Sequence, residues 1–284
     1  MDLEVIAVNS HYRYTTLEYF AKTVSEIGFK KIELWTGPHH FFVDYITNDD
    51  IDDLLYLMNK YNLEIYSICP EQTNPKIGNI ATTTGTRQKR MLDYFKRQID
   101  LASEVNAKYV VVTAGWGFLD EKKEDALKRS IDSMRILSEY ALEKNIFLVL
   151  EALQPDESNI IHTANDINNY VKEVNSEGLR VCLDFGAMAR SNDTIEKYFD
   201  LLANKIEHVH FVDGNPTGHL ALGDGERDLK KDLYNLIANN YTGTLALETA
   251  NSRYFFNPKQ ADLKSYHTYK KIWEEINIWL NYFV

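Results

Sequence analysis

The chain has 284 residues, 44% of them hydrophobic and 26% charged, enough to enclose one large core. Lys and Arg number 31 against 42 Asp and Glu, a net charge of −11, which opposes a nucleic-acid partner whose phosphates need basic side chains. Every apolar run falls short of the roughly 20 residues that cross a bilayer, and MDLEVIAVNS lacks the basic start and apolar stretch of a secretory signal, so a cytoplasmic protein without a membrane partner is expected.

Taken in chain order, short β-branched runs alternate with helix-patterned segments. The expected strands are LEVIAV, KIELW, EIYSI, KYVVVTA, IFLVLEA, RVCLDF, EHVHFV and TLALET. Their midpoints run from near residue 6 to near 246 with an average step of about 34 residues, the length of one strand–helix unit. Residues 123–145 set Ala126, Ile131, Met134, Leu137, Ala141 and Leu142 on one stripe, and 262–280 do the same with Leu263, Tyr266, Tyr269, Ile272, Trp273, Ile276 and Leu280. Gly28, Gly178 and Gly243 each fall between a helix and the next strand, where a left-handed cap is wanted. No linker or low-complexity stretch interrupts the rhythm, so residues 1–284 read as one domain. Eight such units predict an α/β fold of the (β/α)₈ TIM barrel type. A doubly wound open sheet would carry fewer strands and often a Gly-rich phosphate turn after the first, and no GxGxxG or Walker pattern stands there.

In such a barrel the chemistry sits at the carboxyl ends of the strands. Four consecutive strands end in chemically active residues: Glu151 on the fifth, Asp184 on the sixth, His210 on the seventh and Glu248 on the eighth. Their spacings are about one strand–helix unit each, so the side chains should converge. Three carboxylates and an imidazole form a hard, oxygen-rich donor set, suited to Mn²⁺, Mg²⁺ or Co²⁺ rather than to a thiolate zinc site. The two cysteines, Cys69 and Cys182, lie in apolar runs and form no disulfide framework.

These motifs resemble the xylose isomerase-like TIM barrel superfamily of sugar isomerases and epimerases along the whole chain. Glu151, Asp184, His210 and Glu248 match that family's metal ligands in type and order, implying one divalent ion, with Mn²⁺ first and Mg²⁺, Co²⁺ or Zn²⁺ as alternatives. In LVLEALQPDESN, Glu157 falls where ketose 3-epimerases carry a carboxylate close to the ligands. The stretches KIELWTGPHHFFVD, ICPEQTN, LEALQPDESNIIHTANDI, HVHFVDG and GHLALGDGE are most similar to fructoselysine 3-epimerases. Two positions depart from free-ketose 3-epimerases: the histidine three residues after the metal Asp is Ala187, and the arginine six after the metal His is Pro216. Both contact sugar in those enzymes, which points away from a plain tagatose- or psicose-type substrate.

The resemblance implies C3 deprotonation and reprotonation of a ketose or ketosamine through a cis-enediolate, with Glu151 and Glu248 as the acid/base pair. An aldose–ketose isomerase or an inosose dehydratase-type lyase shares the metal and the enediolate and stays open as the alternative. A DNA-repair endonuclease IV type is opposed by Ala187 and by the net charge. Substrate contacts are expected from His11, Trp35, His39, Glu71 and Trp116 after the first four strands, and from Glu157 and His219, the latter in a loop whose Gly218, Gly223 and Gly225 permit tight turns. Asp213 is expected to orient His210, to face the substrate, or to be a solvated loop residue, and His208 to be a satisfied barrel histidine. Arg190 and Arg253 read as solvated. A small-molecule sugar is the expected partner, and a homo-oligomer is an open expectation to which Trp273 and Trp279 would contribute.

Overall fold

The computed structural model describes residues 3–72 and 78–283, with side chains as far as residue 278. Eight parallel strands close into a barrel: β1 (Glu4–Val8), β2 (Lys31–Thr36), β3 (Glu64–Pro70), β4 (Tyr109–Thr113), β5 (Phe147–Glu151), β6 (Leu179–Asp184), β7 (Ile206–His210) and β8 (Thr244–Leu247). Each pairs with its sequence neighbour, and β8 returns to β1 with Ile6 opposite Ala246. The helices are α1 (Leu17–Ile27), α2 (Ile51–Lys60), α3 (Thr86–Glu104), α4 (Lys123–Glu143), α5 (Ala164–Val174), α6 (Phe185–Arg190), α7 (Ile195–Leu202), α8 (Leu229–Ala238) and α9 (Pro258–Phe283). All eight expected strands and both expected helices are present, although Leu142 of the first stripe is exposed and the Leu280 side chain of the second lies outside the described residues. Among the described residues no helix is long and apolar enough to cross a membrane.

Period-two alternation sorts the strand side chains between two environments. Val110 and Val112, Leu148 and Leu150, and Val181 and Leu183 point outward into the large core beneath the helices. Their neighbours Tyr109, Val111, Val149 and Cys182 form a separate inner cluster, with Ile6, Val8 and Ala246 completing the barrel lumen. Short polar caps start the helices. Thr16 accepts from the Tyr19 amide at α1, and Thr163 with Asp166 forms a reciprocal capping box at α5.

The turns that lead back into the strands differ from expectation. Gly28 does take a left-handed angle, φ 116°, at the end of α1. Gly178 and Gly243 do not; they are glycines because the Ser138 carbonyl in one case, and the Tyr241 hydroxyl and Glu207 carbonyl in the other, occupy the space a Cβ would fill. The left-handed role falls instead to asparagine. Asn62, Asn106, Asn145, Asn175 and Asn240 follow α2, α3, α4, α5 and α8 with φ between 48° and 59°, a region Asn tolerates better than other side chains. Trp273, expected at an oligomer face, is buried and stacked on Tyr269 within the chain's own core, and the Trp279 side chain lies outside the described residues.

Asn175 is exposed, so its backbone angle can be tested apart from packing. Asn175→Ala is expected to cost about 1–2 kcal/mol, whereas Asn175→Gly should leave the urea midpoint nearly unchanged. Equal losses in the two variants would move the cost from the backbone to the side chain.

Candidate active site

The barrel delivers one functional side chain from each of its last four strands. Glu151, Asp184 and His210 are the final residues of β5, β6 and β7, and Glu248 follows β8 directly. Register sets Asp184 opposite His210 and His210 opposite Ala246. One ligand atom from each of Glu151, Asp184, His210 and Glu248 lies within 4.8 Å of every other. The Nδ1 of His210 faces this centre, 2.8 Å from Glu151 Oε1 and 3.3 Å from Glu248 Oε2. Asp184 also caps α6, its Oδ1 accepting from the Ala187 amide, while its buried Oδ2 makes no hydrogen bond.

Burial sets the electrostatics of the cluster. It pushes the Glu151 carboxyl up to about 7; His210 opposes the rise, and Glu248 and Asp184 add to it. Burial also raises Glu157, whose Oε2 accepts from the Gln154 amide at 3.1 Å. His219 Nε2 stands 3.3 Å from Asp184 Oδ2 and 3.4 Å from Glu248 Oε2. Burial opposes charge on that imidazole, but Asp184 and Glu248 outweigh it and push it up to about 10.

Three carboxylates and an imidazole nitrogen this close, with one buried carboxylate oxygen lacking a hydrogen bond, fit a hard divalent cation, since like charges so crowded need a counter-ion. Cys182, His208 and His210 also lie close together, deeper in the lumen. There, however, both His208 nitrogens are engaged, Nε2 with Glu33 Oε2 at 2.8 Å and Nδ1 with Thr244 Oγ1 at 3.2 Å. His208 is thus the satisfied barrel histidine expected.

Glu33 was not anticipated. It lies on β2, fully buried, and accepts from Ser67 Oγ at 2.7 Å and from His208, with Oε1 3.1 Å from Nε2 of His210. Burial works against its charge, yet the imidazoles of His210 and His208 leave it below the ordinary carboxylate range. It therefore stands where an orienting acceptor for His210 was expected. The signal was available: Glu33 and Trp35 share a face of KIELW, so one carboxylate must point where the barrel is closed.

Above the cluster lies a pocket of about 180 Å³. Its walls include Trp35, Glu71, Glu157 and His219, as expected, and also Ser10, Arg13, Cys69 and Gln72, which were not. Five carboxylates (Glu71, Glu151, Glu157, Asp184 and Glu248) face it against Arg13 and His219. A wider, more open groove of about 580 Å³ runs between α6, α7 and α8, and none of the four clustered side chains reaches it.

Four expected contacts are placed elsewhere. His11 is fully buried and turned toward α9, its Nε2 3.1 Å from Asp262 Oδ1. His39 is exposed and off the pocket; the ordered histidine of that loop is His40, bonded to Asn9 and to the Thr15 carbonyl. Trp116 packs edge-on to Phe118 outside the pocket walls. Asp213 neither orients His210 nor faces the pocket. Its two oxygens collect the amides of Gly214, Gly223, Gly225 and Arg227, which shapes the loop carrying His219. That loop is pinned a second time where Asp224 takes Tyr254 Oη, Arg253 and Lys264.

A sequence model of the xylose isomerase-like TIM barrel family matches residues 21–272. A fructoselysine 3-epimerase of Shigella flexneri is 30% identical over 234 residues, 82% of this chain and 84% of that one. Among solved structures, D-psicose 3-epimerase with D-tagatose from Clostridium cellulolyticum superposes at a TM-score of 0.78 and 16% identity, over 95% of this chain and 98% of the other. The IOLI protein with a bound zinc atom superposes at 0.76 and 18% identity, over 95% and 98%.

Two measurements address this geometry. Glu33→Gln should weaken divalent-metal binding by about 10–100-fold in calorimetry; unchanged affinity would reduce Glu33 to a packing role. For Asp224, burial alone would raise the carboxyl, but Lys264, Tyr254 and Arg253 outweigh it and hold it down at about 2. Its stabilisation is complete above the ordinary Asp range and lost as pH falls through about 2. Because the two cations are partly exposed, Asp224→Asn should cost only about 1 kcal/mol at neutral pH, with roughly half of that gone by pH 3. A penalty independent of pH in urea titrations would remove the ion pairs as its cause.

Proposed function

The chain belongs to the xylose isomerase-like TIM barrel family, and from that premise we propose that it is a divalent-metal-dependent 3-epimerase of a ketose or ketosamine, of the fructoselysine type. The observation that carries this reading is the convergence of Glu151, Asp184, His210 and Glu248 within 4.8 Å at the carboxyl end of the barrel. Those four would hold the cation, Mn²⁺ first among the hard divalent ions, although Zn²⁺, bound in one structural neighbour, uses the same donor types. When bound, the cation supplies Lewis-acid polarisation of the ketose carbonyl and stabilises the enediolate.

The remaining work falls to the chain's own groups. Epimerisation needs a base on one face of a planar enediolate and an acid on the other. Glu151 and Glu248 come from β5 and from the end of β8, so they approach the centre from different sides. Burial and the neighbouring Glu248 and Asp184 raise the Glu151 carboxyl above the ordinary carboxylate range, while His210 opposes the rise, an environment suited to a group that takes up and returns a proton. Glu157, on the loop after β5, carries a second raised carboxyl beside the pocket and can relay a proton to the substrate hydroxyls. Trp35 offers an apolar wall for a sugar face, and Glu71 and His219 offer hydrogen bonds to hydroxyls. The net charge and the lack of a membrane-crossing helix among the described residues support a cytoplasmic enzyme on a small sugar.

Incubating Mn²⁺-loaded protein with fructoselysine, psicose, tagatose and inosose in D₂O should place deuterium at C3 of one ketose. Chelation should abolish the exchange, and Glu151→Gln should reduce it by about 100-fold or more. Deuterium at C1 or C2 with aldose formation would make the enzyme an isomerase, and loss of water a lyase. Full exchange in chelated protein would end the metal-dependent reading.

A further inference from the structure

We infer that Arg13 is the anion-recognising residue of this pocket, and that the sugar accepted here carries a carboxylate or phosphate remote from the epimerised carbon. The inference rests on the ketose reading above and deepens it. Arg13 follows a single 3₁₀ turn, Ser10–Tyr12, at the end of β1 and lines the pocket wall. Its Nε donates to the Ser10 carbonyl at 3.1 Å. Its guanidinium lies 4.4 Å from the centre of the Phe255 ring and 5.2 Å from that of Trp35.

Held in this way, the group has little rotational freedom left, and among the described residues its two terminal nitrogens make no hydrogen bond. No described carboxylate stands within 4.0 Å of it, although it lines the pocket that holds the acidic cluster. The guanidinium is half-buried and in contact with no described carboxylate, so its terminal N–H groups are open to an oxyanion that enters the pocket. The planar fork of two N–H groups matches a carboxylate or phosphate in bidentate fashion, and the fixed stack spares the entropy of ordering it.

Five carboxylates face the pocket and repel an anion, so the charged end of such a sugar is confined to the side of Arg13 and His219. His219 lies between Asp184 and Glu248, so Arg13 is the cation left for a ligand.

The test is calorimetry on Mn²⁺-loaded protein with two matched pairs: N-(1-deoxyfructosyl)glycine against its amide, and fructose 6-phosphate against fructose. The anionic member of one pair should bind about tenfold or more tightly than its neutral partner, and the pair that shows this tells carboxylate from phosphate. Arg13→Met, which keeps an apolar chain between the rings, should bring that ratio close to one. Arg13→Lys should retain part of it, with circular dichroism confirming that both variants fold. A wild-type protein with no preference in either pair, or a preference that survives Arg13→Met, overturns the inference. Deuterium exchange measured on the same samples separates the two claims: preference without exchange removes the epimerase reading and keeps Arg13, and exchange without preference does the reverse.

Discussion

Crowding of negative charge at one end of a closed sheet is the constraint from which the rest of this molecule follows. Glu151, Asp184 and Glu248 meet within a few ångströms, at positions buried or nearly so. In a medium of low dielectric their repulsion is severe unless cations or hydrogen bonds answer it. The chain answers from three directions. Below, His210 faces two of the three carboxylates and is braced through Glu33 to His208, Ser67 and Thr244. From the side, the first turn of α6 lends an amide to Asp184. Above, His219 enters on a loop tied down by Asp213 and Asp224. What remains uncancelled is a local negative charge of the kind a divalent cation fits.

The strands were legible because each is a β-branched run bounded by helix-patterned sequence, and burial on both faces leaves little choice of structure. The four converging residues were legible for a related reason. A strand's last residue projects either into the lumen or into the helical layer, and a carboxylate or imidazole is affordable only in the former. Glu33 obeys the same alternation but sits mid-strand rather than at an end, so attention to strand ends passed over it.

Residues beyond the strands were read less well. No period governs a loop side chain; its direction depends on where the backbone runs. His39 and His40 are adjacent, yet one faces solvent and the other bonds Asn9. Asp213 is three residues from His210 and its carboxylate is filled by amides as far along as Arg227, a closure no local pattern announces. His11 was drawn away by Asp262, a residue about 250 positions distant. Arg13 escaped notice because its significance lies in a missing partner and two aromatic neighbours, one of them on the loop after β8.

The asparagine turns bear on how such a barrel changes over time. All five lie at the rim where helices feed back into strands, opposite the end that carries Glu151, Asp184, His210 and Glu248. The reversals into the strands are thus made by segments remote from the acidic cluster, while Trp35 at the end of β2 and the loops bearing Arg13 and His219 stand at the other end. A change in an upper loop can therefore reshape the pocket while leaving these five turns untouched.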